Sequence, residues 1–214
     1  MVYIFYHVPK TAGTVLRYLL NAVYRNDLGL VYDNSTEIPL SKICYIGHRI
    51  RYGFHENIEG PASYIIFLRR PGPRAMSAYY HNVIKAYKAT NTYPTVEEWL
   101  EGRTIPGTNT HSMVKAVANS LSEAKQVLEK TAFIGLQETF AADIAQLLPN
   151  IPIGTPQNVN VDKARLAGLT LPEITEAQHK LLASAFAEDE DLYAHALDLR
   201  ARGHNSTFTL STSY

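Results

Sequence analysis

The chain has one cysteine, no net charge and no long apolar run. Cys44 alone cannot close an internal disulfide, and zinc sites built from paired cysteines are excluded. The longest apolar stretches, such as Ser63 to Leu68, fall far short of the ~20 residues that cross a bilayer, and the N-terminus lacks a basic-then-apolar signal pattern. The 20 Lys/Arg and 20 Asp/Glu balance overall but are unevenly placed. From Lys42 to Lys88 there are eight basic residues and two acids, whereas Glu138 to Arg200 carries ten acids and four basic residues. A basic middle segment favours a polyanionic ligand. Nucleic acid is disfavoured, because neither a basic helix nor an aromatic-and-basic sheet motif accompanies the charge.

What is present is an ordinary globular composition, 46% apolar and 19% charged over 214 residues. One domain over 1–203 is expected, followed by a Ser/Thr-rich tail at 204–214 that frays. The β-branched and aromatic run Val2 to Val8 predicts a buried strand, and Val15, Leu16, Leu19, Leu20 and Val23 recur at helical spacing after it. Ile43 to Ile46, Ser63 to Leu68 and Ala132 to Gly135 are further strands. Pro71 and Pro73 place a helix from Arg74 to Lys88. Thr95-x-x-Glu98 and Ser120-x-x-Glu123 have capping-box spacing and start two more helices. Helices follow at Glu138 to Leu148, Glu173 to Phe186 and Asp189 to Arg202, the last with the acidic cluster Glu188 to Asp191 favourably at its N-terminus. Between Leu148 and Pro172 lies a Pro- and Asn-containing loop. Alternating strands and helices imply an α/β fold: a three-layer, P-loop-like parallel sheet flanked by helices.

The loop after the first strand carries the strongest chemical signal. Small residues at a helix N-terminus let successive backbone N–H groups form an anion nest. Ala12 and Gly13 let the backbone approach phosphate oxygens, Thr11 and Thr14 offer hydroxyls, and Lys10 adds a positive charge after Pro9. In a Walker A loop the lysine follows the final glycine, whereas Lys10 precedes Gly13, which weakens an ATPase reading.

The run His7-Val-Pro-Lys-Thr-Ala-Gly-Thr14 resembles the 5′-phosphosulfate loop of the carbohydrate sulfotransferases, the branch that includes heparan and chondroitin enzymes. Arg69, Pro71, Arg74 and Ser77 match that family's second signature, Arg-x-Pro-x-x-Arg-x-x-Ser at a strand end, followed by Ala78-Tyr-Tyr-His81. Weaker likenesses run through Glu123 to Leu128, Phe133 to Glu138 and Asp191 to Tyr193. Two departures stand out: Arg70 occupies the position before the proline where many relatives have an acid, and Lys115 is the only basic residue near Asn109 to Asn119, where relatives tend to place an arginine. The resemblance implies a sulfotransferase using 3′-phosphoadenosine 5′-phosphosulfate (PAPS), releasing 3′-phosphoadenosine 5′-phosphate (PAP) and requiring no metal. It also implies a hydroxyl-bearing carbohydrate acceptor. Human enzymes of this type carry a membrane anchor and stem; a small bacterial-type, cytoplasmic member is expected here.

On that resemblance Pro9, Lys10, Thr11, Ala12, Gly13 and Thr14 hold the 5′ end, with Lys10 stabilising charge on the departing phosphate. Arg69 and Ser77 clamp the 3′-phosphate. Removing the acceptor's proton suits a histidine. His48 is the expected base, with His55, Glu56 and His81 as alternatives. Tyr52, Phe54, Tyr79, Tyr80 and Tyr87 offer a wall for sugar rings. The competing classes are a P-loop-like kinase, which needs magnesium ligands, and a binding module that has lost transfer.

Overall fold

The computed structural model describes residues 1–31, 41–47, 50–58, 60–102, 112–149, 163–164 and 166–210. Its centre is a five-stranded, wholly parallel sheet in the order β2-β3-β1-β4-β5, formed by Val2–Tyr6 (β1), Leu28–Leu30 (β2), Cys44–Gly47 (β3), Ala62–Leu68 (β4) and Phe133–Leu136 (β5). Parallel strands need both faces covered, and alternation along β1 shows how. Tyr3 and Phe5 join a core with Leu16, Leu20 and Val23 of α1 (Gly13–Tyr24) and Phe140, Ile144 and Leu147 of a helix at Phe140–Leu147. Ile4 and Tyr6 face the other way, into a core shared by helices at Met113–Val117, Leu121–Lys130 and Ala187–Ala201. The three-layer α/β arrangement expected from the sequence is thus observed.

In chain order the remaining helices are α2 (Pro71–Thr90), α3 (Val96–Gly102), α4 (Met113–Val117), α5 (Leu121–Lys130), α6 (Phe140–Leu147), α7 (Glu176–Ala185) and α8 (Ala187–Ala201). Rather than lying on a sheet face, α2 packs with α3 and α7 in a third apolar cluster containing Ala75, Tyr79, Trp99, Leu182 and Phe186.

Several local expectations change. The helix expected from Arg74 begins at Pro71, because the first turn needs no intrahelical N–H donor and so admits Pro71 and Pro73 alike. Thr95 and Glu98 exchange the two bonds of a capping box, whereas Glu123 reaches back to the Asn119 N–H while Ser120 accepts from the Glu123 N–H. The tail was expected to fray after Gly203, yet Asn205 is buried and pairs with both the N–H and the C=O of Ile134, at 2.9 and 2.8 Å. Those bonds cover the outer side of the edge strand β5, which would otherwise offer unpaired backbone groups. The Leu210 N–H continues the attachment onto the Leu147 carbonyl.

Candidate active site

The connection after β1 enters α1 on one face of the sheet, while the chain leaving β4 goes on to supply α4 and α5 to the opposite face. Neighbouring parallel strands whose connections diverge in this way open a crevice at their carboxyl ends, the usual ligand position in such sheets. Residues 7–12 follow β1 at that edge, and Arg69 follows β4.

The loop is held in an unusual backbone path. Lys10 and Ala12 both have left-handed φ values, 71° and 67°, with Thr11 between them on the ordinary side. Non-glycine residues in that region cost of order 1 kcal/mol each, so surrounding contacts must hold them there. One such contact is internal: the Thr11 hydroxyl, 1% exposed, donates to the Val8 carbonyl at 2.8 Å. This corrects the sequence reading of Thr11 as a hydroxyl donor to ligand, because that proton is committed to the loop. Alternating φ sign turns successive N–H groups toward one side, which is the geometry of an anion nest. Ala12 is the N-cap of α1 and supplies no side-chain cap, and the first turn of the helix holds no acid to compete with an anion. Thr14, one residue into the helix, is exposed.

Around this loop gather positive charges. Arg69 donates through Nη1 to the Lys10 carbonyl at 3.4 Å, which brings together two sequence signatures 59 residues apart. Its Nε is buried with no hydrogen-bond partner among the described residues. Burial lowers the Arg69 pKa, and the nearby Glu138 carboxylate opposes that shift. Lys10 is pulled down to about 8, first by desolvation and then by the charges of Lys163 and Arg69. His81 is also held below its ordinary value by desolvation in the cleft and then by Lys10, Lys163 and Lys85, although its side chain still meets solvent. Ser77, His81 and Lys85 recur every fourth residue along α2 and so share one stripe, half-buried at Ser77 and exposed beyond it.

Lys163 was not picked out from the sequence. It stands in the Pro- and Asn-containing segment, and only its charge hinted at a role. His48, the expected base, lies outside the described residues. His55 packs on a residue near the start of β4. The His55 ring is bound to the Tyr64 hydroxyl at 3.1 Å and packs against Tyr52 and Tyr64, and Tyr64 lies four residues before the end of β4. At about 3.3 Å per residue that is roughly 13 Å from the carboxyl end. The proposed aromatic wall also divides. Tyr52 and Phe54 belong to this remote cluster, whereas Tyr79 and Tyr80 donate to the carbonyls of Pro94 and Pro172 within the α2 cluster, with Tyr87 packed against it.

Arg74 was part of the second signature, yet its side chain is fully buried and paired with Asp189 at 3.0 Å. Asp189 also accepts from the Ser112 hydroxyl and from the N–H groups of Met113 and Val114. Asp189 lies in the first turn of α8, as the acidic cluster was expected to, and it is in addition a buried junction of α2, α4 and α8. At Arg70 the backbone N–H donates to Glu138 at 2.8 Å, so a carboxylate reaches this point from beyond β5. Glu138 in turn accepts from the Tyr193 hydroxyl. Lys115 turns its ammonium to the Asn119 carbonyl at the end of its own segment.

The fold and the loop define a parallel α/β protein with a cluster of cationic side chains at its switch point. No protein-family model matches the chain, and no curated protein matches it in sequence. Among solved structures it is similar to mouse sulfotransferase SULT7A1 complexed with PAP, at 12% identity and a TM-score of 0.44, over 95% of this chain and 88% of that one. Among the described residues, no cluster of three or more His, Cys, Asp or Glu side chains is arranged to hold a metal, and no helix is long and apolar enough to cross a membrane.

Proposed function

We propose that this protein binds PAPS at the carboxyl edge of β1 and β4 and transfers its sulfuryl group to a hydroxyl of an acceptor, expected to be a carbohydrate. One observation carries the reading: the 5′ loop and the strand-end arginine signature meet through the Arg69 contact to the Lys10 carbonyl. A ligand with anionic groups at two separated positions suits two such anchors. The buried, unpartnered Arg69 Nε fits an oxyanion, as do the nest and the first-turn donors of α1.

In this reading Gly13, Thr14 and the N–H groups from Lys10 to Gly13 hold the 5′-phosphate, with Pro9 fixing the entry to the loop. Arg69 and Ser77 hold the 3′-phosphate. The acceptor oxygen attacks sulfur while the bond from sulfur to the 5′-phosphate oxygen breaks, and Lys10 stabilises the charge left on that oxygen. The acceptor proton goes to His48 or to His81, which the structure puts in the field of Lys10. A ring kept neutral by desolvation and then by nearby cations is in the form that accepts a proton, and an anionic ligand that neutralises those cations strengthens it as a base.

The direct test is incubation with PAPS and a panel of hydroxyl-bearing acceptors, read by mass spectrometry for a sulfated product. Sulfation that depends on both PAPS and Lys10 supports the proposal, and the panel names the acceptor; no product from any acceptor contradicts it. Of His48→Ala and His81→Ala, the variant of the true base loses roughly 10²–10⁴-fold in rate while keeping its PAP affinity. Ser77→Ala is expected to weaken PAP by about 10–100-fold and to leave adenosine 5′-phosphate binding unchanged, whereas Arg69→Ala, which also frees the Lys10 carbonyl, is expected to weaken both nucleotides and PAP the more. Equal losses for both nucleotides would show those side chains to be structural.

A further inference from the structure

Gly13 would ordinarily be explained by the need to bring backbone close to phosphate. The structure gives a different reason. A Cβ added at Gly13 would fall 1.8 Å from Nε2 of His7, 2.1 Å from its Cδ2 and 2.6 Å from its Cε1, so its three nearest neighbours all belong to one imidazole. Backbone conformation is not the constraint, because Gly13 is the first residue of α1 and its φ is not left-handed. Helix propensity alone favours alanine there.

The position of the ring follows from β1. Tyr3 and Phe5 point to the face covered by α1, and His7 continues that alternation one step past the strand. Its backbone is anchored by an N–H bond to the Gly47 carbonyl at 3.2 Å, which extends the register that pairs Tyr6 with Gly47. The half-buried ring therefore lies between a fixed strand end and the first turn of α1, in contact with the residue that begins the helix.

We infer that His7 is a positioning residue: its imidazole packs against Gly13 and sets where the first turn of α1, with its free N–H donors, stands relative to β1. Gly13 is glycine because His7 occupies the space of a side chain. The packing is independent of any ligand, while its consequence for the 5′-phosphate rests on the PAPS reading.

A double-mutant cycle separates the two. Gly13→Ala alone is expected to lower the melting temperature by about 4–8 °C, as overpacking does in a protein of this size. In the His7→Ala background the same substitution is expected to be neutral or stabilising. For binding, calorimetry compares PAP with adenosine 3′-phosphate, which lacks the 5′ group. His7→Ala should weaken PAP about tenfold and spare adenosine 3′-phosphate, since only the loop end is disturbed. Gly13→Ala should lose at least as much PAP affinity, and the double variant should return to the His7→Ala value. The inference is overturned if Gly13→Ala is equally damaging in the wild-type and His7→Ala backgrounds, if it is harmless with His7 present, or if His7→Ala changes stability while both nucleotides bind as in the wild type. A wild-type protein that binds neither nucleotide contradicts the functional proposal, and the melting cycle still decides whether His7 dictates Gly13.

Discussion

Lys10 sits where its charge is least comfortable: partly desolvated, at a left-handed φ, and beside Lys163 and Arg69. The unfolded chain keeps that proton to an ordinary lysine pKa of 10.5, whereas the folded protein releases it at about 8. The unfolded state therefore binds more protons between these values, and the ligand-free protein should become more stable as pH rises through that window. Lys10→Met is expected to flatten this rise and to increase the melting temperature at neutral pH, while lowering turnover far more than PAP affinity. Thermal scans from pH 7 to pH 10 and single-turnover rates check both halves. Binding an anion reverses the sign. PAP favours charged Lys10, so its affinity should fall by about tenfold between pH 7 and pH 9, a dependence that Lys10→Met abolishes. An unchanged pH profile in the variant would remove Lys10 from the anion site.

At the scale of elements, the site depends on how α2 is held, and Arg74 with Asp189 holds it. Replacing Asp189 by Ala leaves a buried guanidinium unpaired and frees the Ser112, Met113 and Val114 donors, so it should cost about 3–5 kcal/mol in chemical denaturation. Replacing the pair with apolar residues of similar volume should cost less than either single change. A near-neutral Asp189→Ala would contradict the junction described. None of this was readable from the chain, because the acidic cluster Glu188 to Asp191 gives no sign of which carboxylate turns inward. Long elements with clear periodicity were legible: β1, α1, β4 and α5 lie close to their expected spans. The four-residue strands β3 and β5 also lie within a residue of the expected Ile43 to Ile46 and Ala132 to Gly135, but two other short elements were not legible. β2 has three residues, with Leu30 largely exposed, and α4 has five, too few for a period to register. At the candidate site, the two signatures legible in the sequence meet in the structure through Arg69 and the Lys10 carbonyl. Lys163 was missed because a single remote charge carries no pattern, and the roles first given to Thr11 and Gly13 missed the loop's own packing.

For the whole molecule, strand order decides where chemistry can happen. β1 and β4 are neighbours whose following connections pass to opposite faces, and the basic segment of the sequence contributes Arg69 and the stripe along α2 to that edge. The acidic half of the chain lies largely elsewhere, with Glu138 and Asp189 turned inward to brace the edge from behind. The proposed site, with two anion anchors, would distinguish PAP, phosphorylated at both the 5′ and 3′ positions, from ATP, whose phosphates form one chain. Isothermal calorimetry of the intact protein with PAP, and in parallel with ATP plus magnesium, tests this most directly. The account predicts that PAP binds without added metal and more tightly than ATP with magnesium. Tighter binding of ATP with magnesium, or no binding of PAP, would contradict it.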